Sequence, residues 1–370
     1  MISQMKRISC LLILMMLITS VKAQVVSLNR KEIAKIRKAI KNEKRYQEVF
    51  ESYKQLAYKA VDETPNPIAE ILSQGLLAGD PRKTASLKAL EDADKIYALS
   101  LAYKVWDDRK FLDKATEFLL AWAKVNKATD DPINETKIED IVTAYDLLRN
   151  DIRSADRAII DAWMHRKADA QLESKYAKGS RGTAINNWNS HRIKMITLVA
   201  YTLHDTSYNN AIARELEKQL NINLNPDGTT HDFMERDAFH YQTYDLEPLL
   251  SACIAIYRAT GKDYFTWKTV NGSSIKNCVD YMVSFMTGEK THAEFVKSIV
   301  PFDLKRAQNN EKGYAAGTLF EPKNGVNTLA LAAYFDSGYN QIIRQAMQNP
   351  GYLNWRMALN DFTASSRGSF

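Results

Sequence analysis

Amphipathic helical segments follow one another through most of this 370-residue chain, and only short polar links separate many of them. That succession limits the fold more than any other feature. Phe111, Ala115, Phe118, Leu119, Trp122 and Val125 repeat at the spacing of one buried helix face. Asp107 and Asp108 stand before that face as capping candidates, and Ser154 with Asp156 opens the next long segment. Further helices are predicted over about 30–60, 84–105, 137–149, 188–204, 210–221, 236–259, 272–287 and 338–347. Long helices on short links pack as antiparallel hairpins. No exact repeat is visible, which argues against a consensus solenoid. The expectation is an all-α, single-domain (α/α) toroid over residues 24–370. Three loops interrupt it: Asp62 to Arg82, Ala177 to Thr183, and Glu289 to Gly325. The last is long enough to hold short strands, and loops of that length are often functional.

The first 23 residues have a different character. Lys6 and Arg7 precede an apolar run from Ile8 to Ile18, and Val21-Lys22-Ala23 follows. This is the pattern of a secretory signal peptide cut near Ala23, and the run is too short to span a bilayer as a mature helix. A periplasmic protein with no membrane insertion after cleavage is expected. The formal charge then falls from +6 to +3, because Lys6, Arg7 and Lys22 leave and no acid does. Such a balance excludes a nucleic-acid binder, which clusters basic residues heavily. Cys253 and Cys278 are too few for a disulfide scaffold and read best as buried filler, although they could pair in an oxidising compartment. The six histidines show no metal spacing, so neither a metal nor a cofactor is expected.

Two segments carry possible chemistry. In NPDGTTHDFMERDAFHYQTYDLEPLL, from Asn225 to Leu250, turn residues lead into a predicted helix. There Arg236, His240 and Tyr244 fall at i, i+4 and i+8. A cation, an imidazole and a phenol on one face suit proton transfer beside an anionic substrate, although ordinary packing uses the same residue types. The second segment, Ala184 to Met195, reads AINNWNSHRIKM. One asparagine there, Asn186 or Asn187, is an N-cap candidate, and Trp188 is suited to packing. Asn187 and His191 are four apart and could hold a carboxylate together. Tyr241 is a second phenol beside Tyr244. Arg82, Lys83, Lys305, Arg306 and Lys323 lie in the long loops, where charges are usually solvated but could meet substrate carboxylates.

Together the NNW segment and the later ERDAFHYQTYDLEPL segment resemble the alginate lyase superfamily of α/α-toroid polysaccharide lyases. The stretch Ala93 to Val125, Ala144-Tyr145-Asp146-Leu147-Leu148 and the loop Leu76 to Lys83 are similar to it as well. That loop suggests polysaccharide lyase family 38, with family 5 more distant. The resemblance implies β-elimination on a 1,4-linked uronic acid polymer such as alginate or glucuronan. It implies Tyr244 as proton-transferring phenol, Asn187 as carboxylate neutraliser, and Arg236 and His240 as helix partners. His191 is the candidate for the histidine that family 5 places directly after the second asparagine, where this chain has Trp188. The spacing from Arg236 to Tyr244 is one residue longer than in family 5, which keeps Tyr241 as the rival phenol. Trp188, Tyr241, Arg82, Lys83 and Arg306 are candidate substrate contacts.

Two other readings fit the same composition. One is an α/α-toroid hydrolase acting on uronic-acid-containing oligosaccharides through two carboxylates, for which Glu235, Asp237 and Glu247 are available. The other is a glycan-binding protein without activity.

Overall fold

Residues 24–364 are described by the computed structural model; the leader and its cleavage point near Ala23 lie outside the described residues. The helices run in chain order as α1 (Arg30–Asn42), α2 (Lys44–Ala60), α3 (Pro81–Trp106), α4 (Arg109–Val125), α5 (Pro132–Glu135) and α6 (Glu139–Leu148). They continue as α7 (Ser154–Leu172), α8 (Asn187–Leu203), α9 (Asn209–Asn223), α10 (His231–Arg236) and α11 (Phe239–Thr260). The last five are α12 (Ile275–Met286), α13 (Pro301–Gln308), α14 (Val326–Ala332), α15 (Tyr339–Ala346) and α16 (Trp355–Thr363). Among the described residues the only β-pairings are two isolated bridges, Leu224 with Thr230 and Ala293 with Leu319.

The contacts between helices trace a ring. An inner series α3, α6, α8, α11, α14 and α16 is packed each on the next, and α16 closes the circle on α1 and α2, which pack on α3. Outside it, α4, α7, α9, α12 and α15 each back an inner helix. This is the expected α/α toroid. The hairpins form for readable reasons. Asp107 ends α3 in the left-handed conformation, and the Asp108 side chain caps α4 by accepting from the Lys110 amide. The Trp122 indole of α4 then donates to Asp92 of α3 at 3.0 Å, pairing a buried donor with a buried carboxylate.

The long predicted segment 30–60 proves to be two helices, and 236–259 becomes α11 from Phe239 onward, with Arg236 left on α10. Glu43 is extended and parts α1 from α2. Asp237, with φ of 49°, ends α10, and α11 starts two residues later. Helices α13, α14 and α16 were not expected from the sequence. Cys253 and Cys278 are both buried and free, so they fill space rather than cross-link.

Two features position the site. The turn Pro226-Asp227-Gly228 needs its glycine: φ is 89°, and a Cβ there would come within 2.6 Å of Tyr281 Cβ and 2.9 Å of the Asn277 carbonyl oxygen. The loop from 289 to 325 meets the loop from 62 to 82 at the rim. There the Ala78 amide donates to Glu311 at 2.7 Å and Asn309 Nδ2 donates to the Ala78 carbonyl at 3.0 Å.

Candidate active site

Helices α8 and α11 are the most extensively packed pair in the ring, and they meet near their N-terminal ends. His191, in the second turn of α8, lies against Tyr244, in the second turn of α11, with ring centroids 4.4 Å apart. Beside them Ser190 donates to Asp245 at 2.6 Å. The α8 start is held by Asn186, whose Oδ1 accepts from the Trp188 amide at 3.1 Å as an N-cap. The positive ends of two helix dipoles therefore border the same space.

Asn187, the first residue of α8, is buried and tied to Asp232 of α10. Its backbone amide donates to Asp232 Oδ2 at 2.7 Å and its Nδ2 donates to Oδ1. Asp232 is fully buried, and burial pushes its carboxyl up to about 6 against the opposing effect of the Asn187 side-chain hydrogen bond. These contacts fix the orientation of the Asn187 amide, whose second N–H has no acceptor among the described residues.

His191 Nδ1 is 2.9 Å from Thr136 Oγ1, while its Nε2 is buried without a protein partner among the described residues. Burial first, then the charges of Lys194 and Lys137, holds this imidazole neutral well below its ordinary range. Tyr244 is half-buried. Burial pushes its phenol well above the usual value, and the nearby Arg306 charge opposes that rise. No described residue hydrogen-bonds the Tyr244 hydroxyl.

Above this pair lies an aromatic and cationic rim. His240 Nε2 is 3.1 Å from the Tyr314 hydroxyl. Part of the His240 ring meets solvent, yet its close neighbours and the Arg306 and Arg236 charges push its pKa down to about 4. Its backbone amide and that of Phe239 donate to Glu294 at 2.9 and 2.7 Å, so the long loop clamps the start of α11. Arg306 donates to the Tyr241 hydroxyl at 2.6 Å and stacks 4.7 Å from the Tyr314 ring.

Arg236 does not share a continuous helix face with His240 and Tyr244, because the chain turns at Asp237. Its guanidinium pairs with Asp303 at 2.5 Å and lies 3.8 Å over the Tyr241 ring. It supports Tyr241 from behind. Trp188 packs on Tyr176 with centroids 4.9 Å apart. Arg82 is exposed and paired with Asp80 at 2.8 Å, whereas Lys83 donates to the Leu76 carbonyl at 3.1 Å.

Below the rim, the ring encloses a cavity of about 640 Å³ whose lining includes His191, Tyr244, Lys137, Lys194, Glu139 and Asp140. Lys194 is paired with Glu139. Burial, and then the charges of Lys194, Lys83 and Arg306, lower the pKa of Lys137, so these four cations form one positive patch. Lys137, Lys194 and Tyr314 were not singled out in the sequence. Lys194 was legible, since it sits three residues after His191 and seven after Asn187 on one helix face. Lys137 and Tyr314 carry no such signal. The set supplies a free phenol, a neutral imidazole, an oriented amide and a cationic border, which together can move a proton beside a developing anion.

A family model described as alginate lyase matches residues 32–292. An alginate lyase from Bacteroides ovatus has a similar structure, with a TM-score of 0.66 at 17% identity over 90% of this chain and 98% of that one. An alginate lyase from Sphingomonas species A1 gives 0.59 at 17%, over 86% and 90%. A variant alginate lyase complexed with tetrasaccharide gives 0.58 at 19%, over 87% and 89%. No curated protein sequence matches the chain.

Proposed function

The chain belongs to the alginate lyase family and is a polysaccharide lyase, and we propose that it cleaves 1,4-linked uronans by β-elimination with Tyr244 as the proton-transferring group. The observation that carries this reading is the His191–Tyr244 contact on the wall of a cavity lined by Lys137 and Lys194, with the Arg306 charge acting on Tyr244. Elimination removes the C5 proton beside the uronate carboxylate and expels the 4-oxygen. Charge builds on that carboxylate, and the second Asn187 N–H with the neighbouring cations would stabilise it where it develops.

The raised phenol pKa of Tyr244 suits a proton donor to the leaving oxygen. To act as base as well, Tyr244 must lose its proton once substrate is bound, helped by the cations beside it. When the C5 proton and the 4-oxygen lie on one sugar face, Tyr244 serves both steps. When they lie on opposite faces a second base is needed, and neutral His191 with its unpartnered Nε2 has the right form. His240, Tyr241, Tyr314 and Arg306 then form a binding rim. If the leader motif directs export, the reaction belongs in the periplasm.

The test is absorbance. Purified protein incubated with polymannuronate, polyguluronate and glucuronan should generate the ultraviolet signal of an unsaturated uronate. Reducing ends without that signal would point to hydrolysis, and neither would leave a binding protein.

A further inference from the structure

The cavity does not end at Tyr244. Its lining follows α11 from Tyr244 through Glu247, Ser251 and Ala255 to Arg258, a depth of roughly 21 Å at 1.5 Å per residue. Val26, Ser27 and Leu28 close the far end. This N-terminal segment is strapped down: the Ser27 amide donates to Asp146 at 2.7 Å, and Arg258 donates to the Val25 and Ser27 carbonyls at 2.7 and 2.9 Å. This segment therefore walls the well at the Arg258 end of α11. Inside it Arg356 of α16 is partly enclosed, its Nε is buried, and its guanidinium makes no hydrogen bond or ion pair with any described residue. The charged and phenolic groups around it are Tyr97, Glu139, Arg258 and Tyr334, and the one acid among them, Glu139, is committed to Lys194.

We propose that Arg356 is the receptor for a uronate carboxylate at the inner end of this well, which admits the terminus of the polymer and sets cleavage near the chain end. The proposal rests on the lyase reading and extends it to a subsite. A guanidinium is always charged, and an enclosed charge without a counter-ion is costly unless a ligand supplies one. A carboxylate matches its fork in two parallel hydrogen bonds. The cavity lining also carries Asp94 and Asp140, which would repel a carboxylate but accept from sugar hydroxyls. The sugar is thereby oriented with its acid toward Arg356. The volume of about 640 Å³ suits a short saccharide rather than a polymer passing through.

The experiment compares the full chain with Arg356→Met, which keeps length and removes charge, on a tetrauronate and on polymer. The wild type should release short unsaturated products from the outset while viscosity falls late. Arg356→Met should raise KM for the tetramer roughly 10- to 100-fold, the loss expected for a charge-assisted contact, with kcat within a few-fold and melting temperature unchanged or higher. Arg356→Lys should fall between the two, and it decides the matter if the methionine variant does not fold. Unchanged KM in both variants would overturn the subsite. A collapse in viscosity ahead of absorbance would overturn end-on binding. No absorbance on any uronan would instead defeat the lyase reading; calorimetric titration of saturated tetrauronate then tests Arg356 alone, since loss of binding in the variants supports it and equal binding rejects it.

Discussion

Tyr244 and Tyr241 stand three residues apart, and only their surroundings tell them apart. The Tyr241 hydroxyl is held by Arg306 and its ring by Arg236, whereas the Tyr244 hydroxyl is free beside His191. Tyr244→Phe should therefore lower kcat by about two to four orders of magnitude, the contribution of a placed proton donor or base, with an unchanged melting curve. Tyr241→Phe should act mainly on KM, because it leaves Arg306 without its acceptor. A silent Tyr244→Phe beside a dead Tyr241→Phe would reverse the assignment. The histidines add a pH signature. An imidazole whose pKa is lowered takes its proton only at lower pH, and both His191 and His240 are shifted down, His240 to about 4. The acidic limb of kcat/KM should thus fall below about pH 5. Because the Asp232 carboxyl is itself raised to about 6, a limb near the ordinary histidine value of about 6.5 that persists in Asp232→Asn would show that neither imidazole is held neutral. The sequence named these residue types, but not their partners. Asp232, which fixes Asn187, and Asp303, which takes Arg236, are brought in from other parts of the fold.

The elements were legible where periodicity is long and caps are explicit. The face from Phe111 to Trp122 and the Asp107-Asp108 junction became α4 and its cap. Periodicity could not show the break at Asp237, because Arg236, His240 and Tyr244 keep a helical spacing across a residue that turns left-handed. That break is stabilised from afar: the Phe295 amide donates to the Asp237 carbonyl at 2.8 Å, and Glu294 accepts from the first two amides of α11. Short helices such as α13 and α14 lack the length to give a period. The clamp is itself testable. Glu294→Ala leaves the buried Phe239 amide and the part-buried His240 amide unmet and should cost about 1–3 kcal/mol in denaturant unfolding, while KM rises because His240 is released. A variant with wild-type stability and KM would show that α11 is set by its packing on α8 alone.

At the scale of the molecule, short links between long helices implied a ring, but not what the ring would enclose. The positive charge felt at Lys137 in the cavity wall draws on four separate regions: Lys83 from α3, Lys137 before α6, Lys194 from α8 and Arg306 from α13. No local window of sequence contains it. Arg306 also lies beyond residues 32–292, the part that matches the family model. The formal charge of the whole chain is only +6, so attraction of a polyanion must come from this local patch rather than a global field. Screening is the way to test that. The Debye length shrinks from about 30 Å at 0.01 M salt to about 10 Å at 0.1 M, which separates the patch from approaching carboxylates. The value of kcat/KM on a uronan should fall about tenfold across that range, through KM, while kcat on saturating substrate stays level. Lys137→Ala should flatten the slope, because Lys137 is the member of the patch that faces the cavity without an ion-pair partner among the described residues. A slope unaffected by that change would move recognition away from this cavity wall.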